Sequence, residues 1–437
     1  MKEQEQIPTS KVQRAMRFAR TGAKVGGNYV KHYSKKLLDP SLDRENLHQE
    51  NARDIYHSLS ELKGSALKAA QMISMQHDLL PAAYRSQFSQ AQYSAPPLSY
   101  PLVVKTFREC LGREPGALFD AFTKSAVNAA SIGQVHRAEW QGHVLAIKIQ
   151  YPGVANSIVS DLRMLRPLAA RILNVNGREL DSFMEEIAQK MLEETDYELE
   201  LCRSQEISSA CAHLEGVFFP RYYPEFSGKR IITMEWLEGL HLADFLKTNP
   251  SQDIRDLVGQ RLWDFYHFQI HELFKLHADP HPGNFLFRTD GTLGILDFGC
   301  VKEIPESFYR NYFGMVRRDL LAEGNEAERD ILFRNMGFIY DRDSPSERRM
   351  FTELFCEMIE LLARPFHSDV FDFKDEAYFK QIYEMSERVQ ADRNVRSNKT
   401  VRGKKDAIYI DRTYFGIYHI LHDLGARIHI TRPDWLK

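Results

Sequence analysis

A chain of 437 residues with 43% apolar content has material for two or three ordinary domains or one large bilobal one. Lys and Arg total 57 against 60 Asp and Glu, a formal charge of −3, which removes any global electrostatic case for nucleic-acid binding. The 5 cysteines are scattered, odd in number and lack Cys-x-x-Cys spacing, so neither a disulfide framework nor a zinc site is indicated and a reducing compartment is the simpler inference.

The chain opens Met-Lys-Glu-Gln-Glu with no hydrophobic signal region, and no apolar stretch approaches 18 residues. A cytoplasmic protein without signal peptide or transmembrane segment is the expectation. Lys11, Arg14, Arg17, Arg20, Lys24, Lys31, Lys35 and Lys36 meet no acid until Asp39, while Val12, Met16, Ala19 and Ala23 recur at helical spacing. This predicts a basic amphipathic helix that could lie on an anionic membrane, dock a partner, or be a solvated face over the protein's core. Helices are predicted up to about 110, with turn signals at Asp39-Pro-Ser and from Tyr93 to Pro101. Within them Leu67-Lys68-Ala69-Ala70-Gln71 places Lys68 and Gln71 three apart, on one helical face.

From about 122 to 150 the pattern turns strand-like. It includes the alanine-containing segment Asn128-Ala129-Ala130-Ser131-Ile132-Gly133-Gln134-Val135-His136 and the strand Val144-Leu-Ala-Ile-Lys148-Ile, whose lysine is a candidate phosphate anchor. Helical runs follow over 154–173 and 179–210, the second carrying Glu193, Glu194, Glu198 and Glu200, any of which could face a neighbouring lysine. Strands return at 217–222 and 230–236, and Met234-Glu235-Trp-Leu-Glu-Gly leads out of the last as a hinge able to offer backbone groups to an adenine ring, with Glu235 as its marker. A helix over about 252–276 delivers a polar loop.

That loop reads His277-Ala-Asp279-Pro-His281-Pro-Gly-Asn284, followed by Leu296-Asp297-Phe298-Gly299. Phosphoryl transfer needs an acceptor for the attacking hydroxyl's proton and oxygen ligands for Mg2+; Asp279, Asn284 and Asp297 supply them in the order and spacing of kinase-type sites. Lys148 would grip the α- and β-phosphates of ATP or ADP, Asn284 and Asp297 would hold magnesium, and Asp279 would orient or deprotonate the acceptor, which could be water. His277 is read as a buttress. The fold implied is α+β and bilobal, protein-kinase-like: a helical extension over 1–110, a small lobe over 111–238 and a largely helical large lobe over 239–437. The run Arg402-Gly-Lys-Lys405 reads as a surface loop.

Over most of its length the chain resembles the atypical, protein-kinase-like UbiB family (AarF/UbiB) linked to ubiquinone and isoprenoid lipid metabolism. The resemblance rests on the segment from Asn128 to His136, on Glu194-Thr-Asp196-Tyr197, on Met234-Glu-Trp, and on the two motifs at 277–284 and 296–299. It implies that Ala129 to Val135 form an alanine-rich nucleotide loop in place of the glycine-rich one, restraining ordinary phosphotransfer; Asn128 stands where another alanine is common. It implies a Lys-x-Gly-Gln-type motif at Lys68 and Gln71, with Ala70 replacing the glycine, in which Lys68 meets Glu194 and Asp196 and the extension covers the groove where protein kinases hold peptides. It also leaves Glu200 as the partner of Lys148, and an isoprenoid or quinone-precursor lipid as a partner. The activity implied is that of an ATP-dependent phosphotransferase or ATPase. His281 stands where protein kinases carry a lysine, as in aminoglycoside and choline kinase loops, so a small-molecule kinase is one alternative reading. A nucleotide-responsive lipid-binding scaffold is another.

Overall fold

The computed structural model describes residues 11–38, 45–62, 65–66, 68–69, 98–129, 132–173, 177–392, 394–395 and 402–436. Ala70, Gln71, Ala130, Ser131 and the turn signals at 39–41 and 93–97 lie outside the described residues. The architecture is mixed α+β in two compact units, one comprising Met1–Cys202 with Arg221–Trp236, the other Arg203–Pro220 with Leu237–Lys437.

The first unit is built around an antiparallel sheet of β1 (Ala121–Phe122), β3 (Gly133–Trp140), β4 (His143–Gln150) and β6 (Ile231–Glu235) in that order, with β2 (Asn128–Ala129) also paired to β3. Apolar alternation in β4 sends Leu145, Ile147 and Ile149, all fully buried, to one face. There they pack with Val103 and Phe107 of α3 (Tyr100–Leu111) and with Phe119. Strand periodicity therefore puts Lys148 on the opposite face.

The helical extension shares a second core with the helices that follow the sheet. Ala52, Ile55 and Leu59 of α2 (Glu45–Leu62) and Val25 of α1 (Lys11–Leu38) pack against Ile158, Leu162 and Leu165 of α4 (Val154–Leu173) and Leu180, Ile187 and Met191 of α5 (Arg178–Glu194). The buried face of α1 is not the expected stripe: Met16 is 52% exposed and Ala19 and Ala23 are exposed, whereas Arg14, Thr21, Val25 and His32 are buried. The reason is Asp161 of α4, fully buried, whose Oδ1 accepts from Arg14 Nε at 2.7 Å. A charged residue is drawn inward because its partner is already there.

The helix anticipated over 179–210 is two helices. It breaks at Thr195-Asp196, where Asp196 Oδ1 accepts from Leu199 N (3.0 Å) and so begins α6 (Tyr197–Ala210) as an N-terminal cap would. The strand expected over 217–222 is confined to β5 (Val217–Phe218).

In the second unit, α8 (Gln252–His271, after the short α7, Leu242–Lys247) runs through the core, burying Val258, Leu262, Phe265, Tyr266 and Ile270. Against it lie β12 (Arg427–His429) and α13 (Lys405–Leu424), which buries Ile417, Leu421 and Leu424. Between them come α9 (Glu306–Gly314), α10 (Glu326–Met336), α11 (Pro345–Leu362), β11 (Val370–Asp372) and α12 (Glu376–Ala391). Arg402, expected in a surface loop, has a side chain only 6% exposed, which pairs with both oxygens of Asp343 (2.8 Å each) over the Phe351 ring. Among the described residues no helix is long and apolar enough to cross a membrane.

Candidate active site

In the first unit Lys148 lies at register with Val135 on one side and Ile232 on the other, so its backbone is fixed by two ladders. Its Nζ sits 2.6 Å from Glu200 Oε1, with the side chains 18% and 5% exposed, and 5.2 Å from the centroid of the buried Tyr197 ring. Glu200 and Tyr197 are three apart on α6 and share the face that meets the lysine. A half-buried ion pair backed by an aromatic ring holds the ammonium in one place.

The strands around Lys148 are tightly packed. A Cβ on Gly133 would stand 2.7 Å from Ile149 O and 2.9 Å from Tyr197 OH, so only glycine allows β3 this close to β4 and α6. Gln134, expected in the nucleotide loop, has a buried side chain occupied elsewhere: Oε1 accepts from Leu98 N (2.6 Å) and Nε2 lies 2.7 Å from His136 Nε2. Ile132 is buried and its carbonyl accepts from Tyr151 N (2.9 Å), while Val135 is half-buried opposite Lys148. Ala129 ends β2, paired with Gln134. Glu235 ends β6, exposed, accepting from Arg221 N (3.2 Å). Lys68 Nζ is 2.7 Å from Glu194 Oε2, the last residue of α5. Asp196, expected to share that lysine, caps α6.

In the second unit two antiparallel pairings frame the polar loop. β7 (Lys275–His277) pairs with β10 (Val301–Glu303), His277 opposite Val301, and β8 (Phe285–Phe287) pairs with β9 (Leu293–Ile295), Phe285 opposite Ile295. Leu296 N donates to Asn284 O (3.0 Å) and Ala278 N to Cys300 O (2.9 Å), so residues 278–284 and 296–300 are drawn side by side. That brings Asn284 and Asp297, 13 positions apart in the sequence, to the same end of one hairpin.

Each side chain there is oriented. Asn284 Nδ2 donates to Asp279 O (2.9 Å) and approaches Asp279 Oδ2 (3.4 Å), which leaves the amide oxygen as the atom Asn284 can offer a metal. Asp297 Oδ1 accepts from Gly299 N (2.6 Å). An amide oxygen and a carboxylate are the hard donors magnesium takes alongside phosphate and water, so the donor set fits that ion. His277 is fully buried; its Nδ1 lies 3.1 Å from Tyr266 OH and its N–H donates to Gln269 Oε1 (3.0 Å). Burial holds its pKa below the ordinary histidine value, which suits a neutral buttress. His281 Nδ1 accepts from Gly283 N (3.0 Å), shaping the turn.

Sequence reasoning missed Arg412. Its Nη2 lies 3.2 Å from Asp279 Oδ1, although 133 positions separate the two in the chain. It also missed Tyr197, visible only as the residue after Asp196, and Gln269, one of many polar residues on a helix.

Residues 90–328, more than half of the chain, match the family model of the ABC1 atypical kinase-like domain. The chain is 27% identical to the mitochondrial atypical kinase COQ8 of Saccharomyces cerevisiae over 98% of its own length and 84% of that protein. It is 30% identical to an uncharacterised chloroplastic AarF domain-containing protein kinase of Arabidopsis thaliana, over 69% of its own length but only 44% of that relative. Among solved structures, the Rv3197–erythromycin complex from Mycobacterium tuberculosis superposes with a TM-score of 0.60 at 26% identity, covering 88% of this chain and 94% of that one. On the matched domain, the kinase-like fold and these relatives, the chain is a member of the UbiB family of ABC1 atypical kinases.

Proposed function

We propose that this protein binds magnesium-nucleotide and hydrolyses ATP, or transfers its phosphate, in support of quinone or other isoprenoid lipid metabolism. The observation that carries the reading is the Lys148–Glu200 pair at 2.6 Å, the strand-lysine and helix-glutamate pairing on which kinase-type phosphoryl transfer depends. Lys148 neutralises the α- and β-phosphates. Magnesium, when bound by Asn284 and Asp297, supplies charge neutralisation for the transferred group. Asp279 orients the attacking hydroxyl or water and accepts its proton. Lys68 with Glu194 ties the extension to the first unit's helices, and Gln71 and Asp196 belong to the same motif pair. The backbone of Ala129 and of Ile132 to Val135 would line the phosphates, the expected loop also including Ala130 and Ser131, and the chain around Glu235 would meet the adenine.

The lipid link rests on the yeast COQ8 relationship and on α1, which exposes Arg20, Lys24 and Lys31 together with Met16 and Val30 (69%), a face suited to an anionic membrane surface. Phosphate release from ATP, measured with and without anionic vesicles carrying an isoprenoid phenol, tests the proposal. Turnover that rises with the vesicles and disappears in Asp297→Asn is the expected result. Transfer of labelled phosphate to a soluble metabolite, indifferent to lipid, would replace this reading with that of a small-molecule kinase.

A further inference from the structure

The C-terminal helix brings to Asp279 a cation that none of the kinase-type motifs contains. Arg412 Nη2 and Asp279 Oδ1 lie 3.2 Å apart, with side chains 30% and 29% exposed. Asn284 Nδ2 approaches the other carboxylate oxygen at 3.4 Å, so the carboxylate is held from both sides. One turn further along α13, a Cβ on Gly416 would stand 2.3 Å from Pro280 Cγ and 3.1 Å from Pro280 O. The helix therefore seats directly on the residue after Asp279, and the seat admits no side chain. The helix itself cannot drift: Tyr312 OH donates to Asp411, Thr413 is fully buried, and Ile417 and Leu421 lie in the core.

We propose that Arg412 is the positioning residue of Asp279, fixing the direction in which the carboxylate faces the acceptor. The inference rests on the reading of Asp279 as the group that orients the acceptor. A planar guanidinium constrains its partner's direction, whereas an ammonium is a point charge that constrains only distance. An acceptor-orienting group displaced by about 1 Å loses on the order of 100-fold in rate, while nucleotide affinity is set elsewhere.

The test is steady-state ATP turnover by the full-length protein and its variants, with nucleotide binding and thermal melting measured beside it. Arg412→Gln lowers kcat by about 10- to 100-fold and leaves KM for Mg-ATP within about twofold. Arg412→Lys recovers part of kcat. Gly416→Ala, with Arg412 intact, reproduces the kcat loss by lifting the helix from Pro280. In an Asp279→Asn background, Arg412→Gln adds nothing, because its effect passes through that carboxylate. An Asp279→Asn variant with unaltered kcat would remove the reading of Asp279 and this inference with it. An inactive Asp279→Asn beside a folded Arg412→Gln of normal kcat would overturn the inference alone. Additive losses in the double variant, or a lysine variant no better than glutamine, would overturn it as well.

Discussion

Two imidazoles on α8, His267 and His271, sit one turn apart with ring centroids 4.5 Å from each other, and Tyr309 and Phe313 pack against His271. His271 Nδ1 lies 2.8 Å from Tyr309 OH. Burial holds the pKa of His267 down to about 4, and burial together with His267 holds that of His271 down to about 2. Both are neutral when folded and protonate when unfolded below about 6.5. Their contribution to stability is complete above pH 6.5 and is lost as pH falls toward 4, as the unfolded chain takes up protons the folded one refuses. For His267 the difference between 6.5 and about 4 is worth on the order of 3 kcal/mol. Denaturant unfolding followed from pH 7 to pH 4.5 is expected to give falling stability, with a shallower slope in His267→Phe; a pH-independent midpoint would contradict the burial argument. Residues of fixed spacing, Lys148, Asp279, Asn284 and Asp297, were legible in the sequence because the chemistry dictates both type and order. Arg412 was not, because nothing local marks which arginine of a helix 133 positions away will meet a loop carboxylate.

At the scale of elements, α1 shows how one charge can set which face of a helix turns inward. Helical periodicity announced the helix, but the apolar residues at 16, 19 and 23 are spread over its exposed side. What settles the face is a buried polar cluster: Arg14 donates to both oxygens of Asp161, and Ser65 Oγ bonds both Asp161 and Ser157 Oγ, the latter at 2.6 Å. Removing one partner of a buried pair leaves the other charge desolvated and uncompensated, at a cost of about 3–5 kcal/mol. Asp161→Ala is therefore expected to destabilise the first unit by that amount in denaturant unfolding, and an Arg14→Met/Asp161→Leu pair to recover most of it; a near-neutral Asp161→Ala would show that the cluster contributes little. No sequence pattern flags such a pair, since Arg14 reads as one more member of a basic stripe. The break between α5 and α6 was likewise hidden, because Thr195-Asp196 interrupts no apolar period and acts only through its capping geometry.

For the whole molecule, sequence alone carried the α+β class, the strand bearing Lys148 and the mostly helical second unit, since these follow from periodicity and turn chemistry. What it could not carry is the set of contacts that aim each group: Tyr197 beside Lys148, Asn284 turned by Asp279, α13 seated on Pro280. The central proposal is that the protein binds magnesium-nucleotide, with Lys148 taking phosphate and Asn284 and Asp297 taking magnesium. Calorimetric titration of ATP into the full-length protein, with magnesium and with a chelator, tests it most directly. Magnesium-dependent binding that weakens at least about tenfold in both Lys148→Met and Asp297→Asn is the predicted result. Equal affinity in all three proteins, or binding indifferent to magnesium, would contradict it.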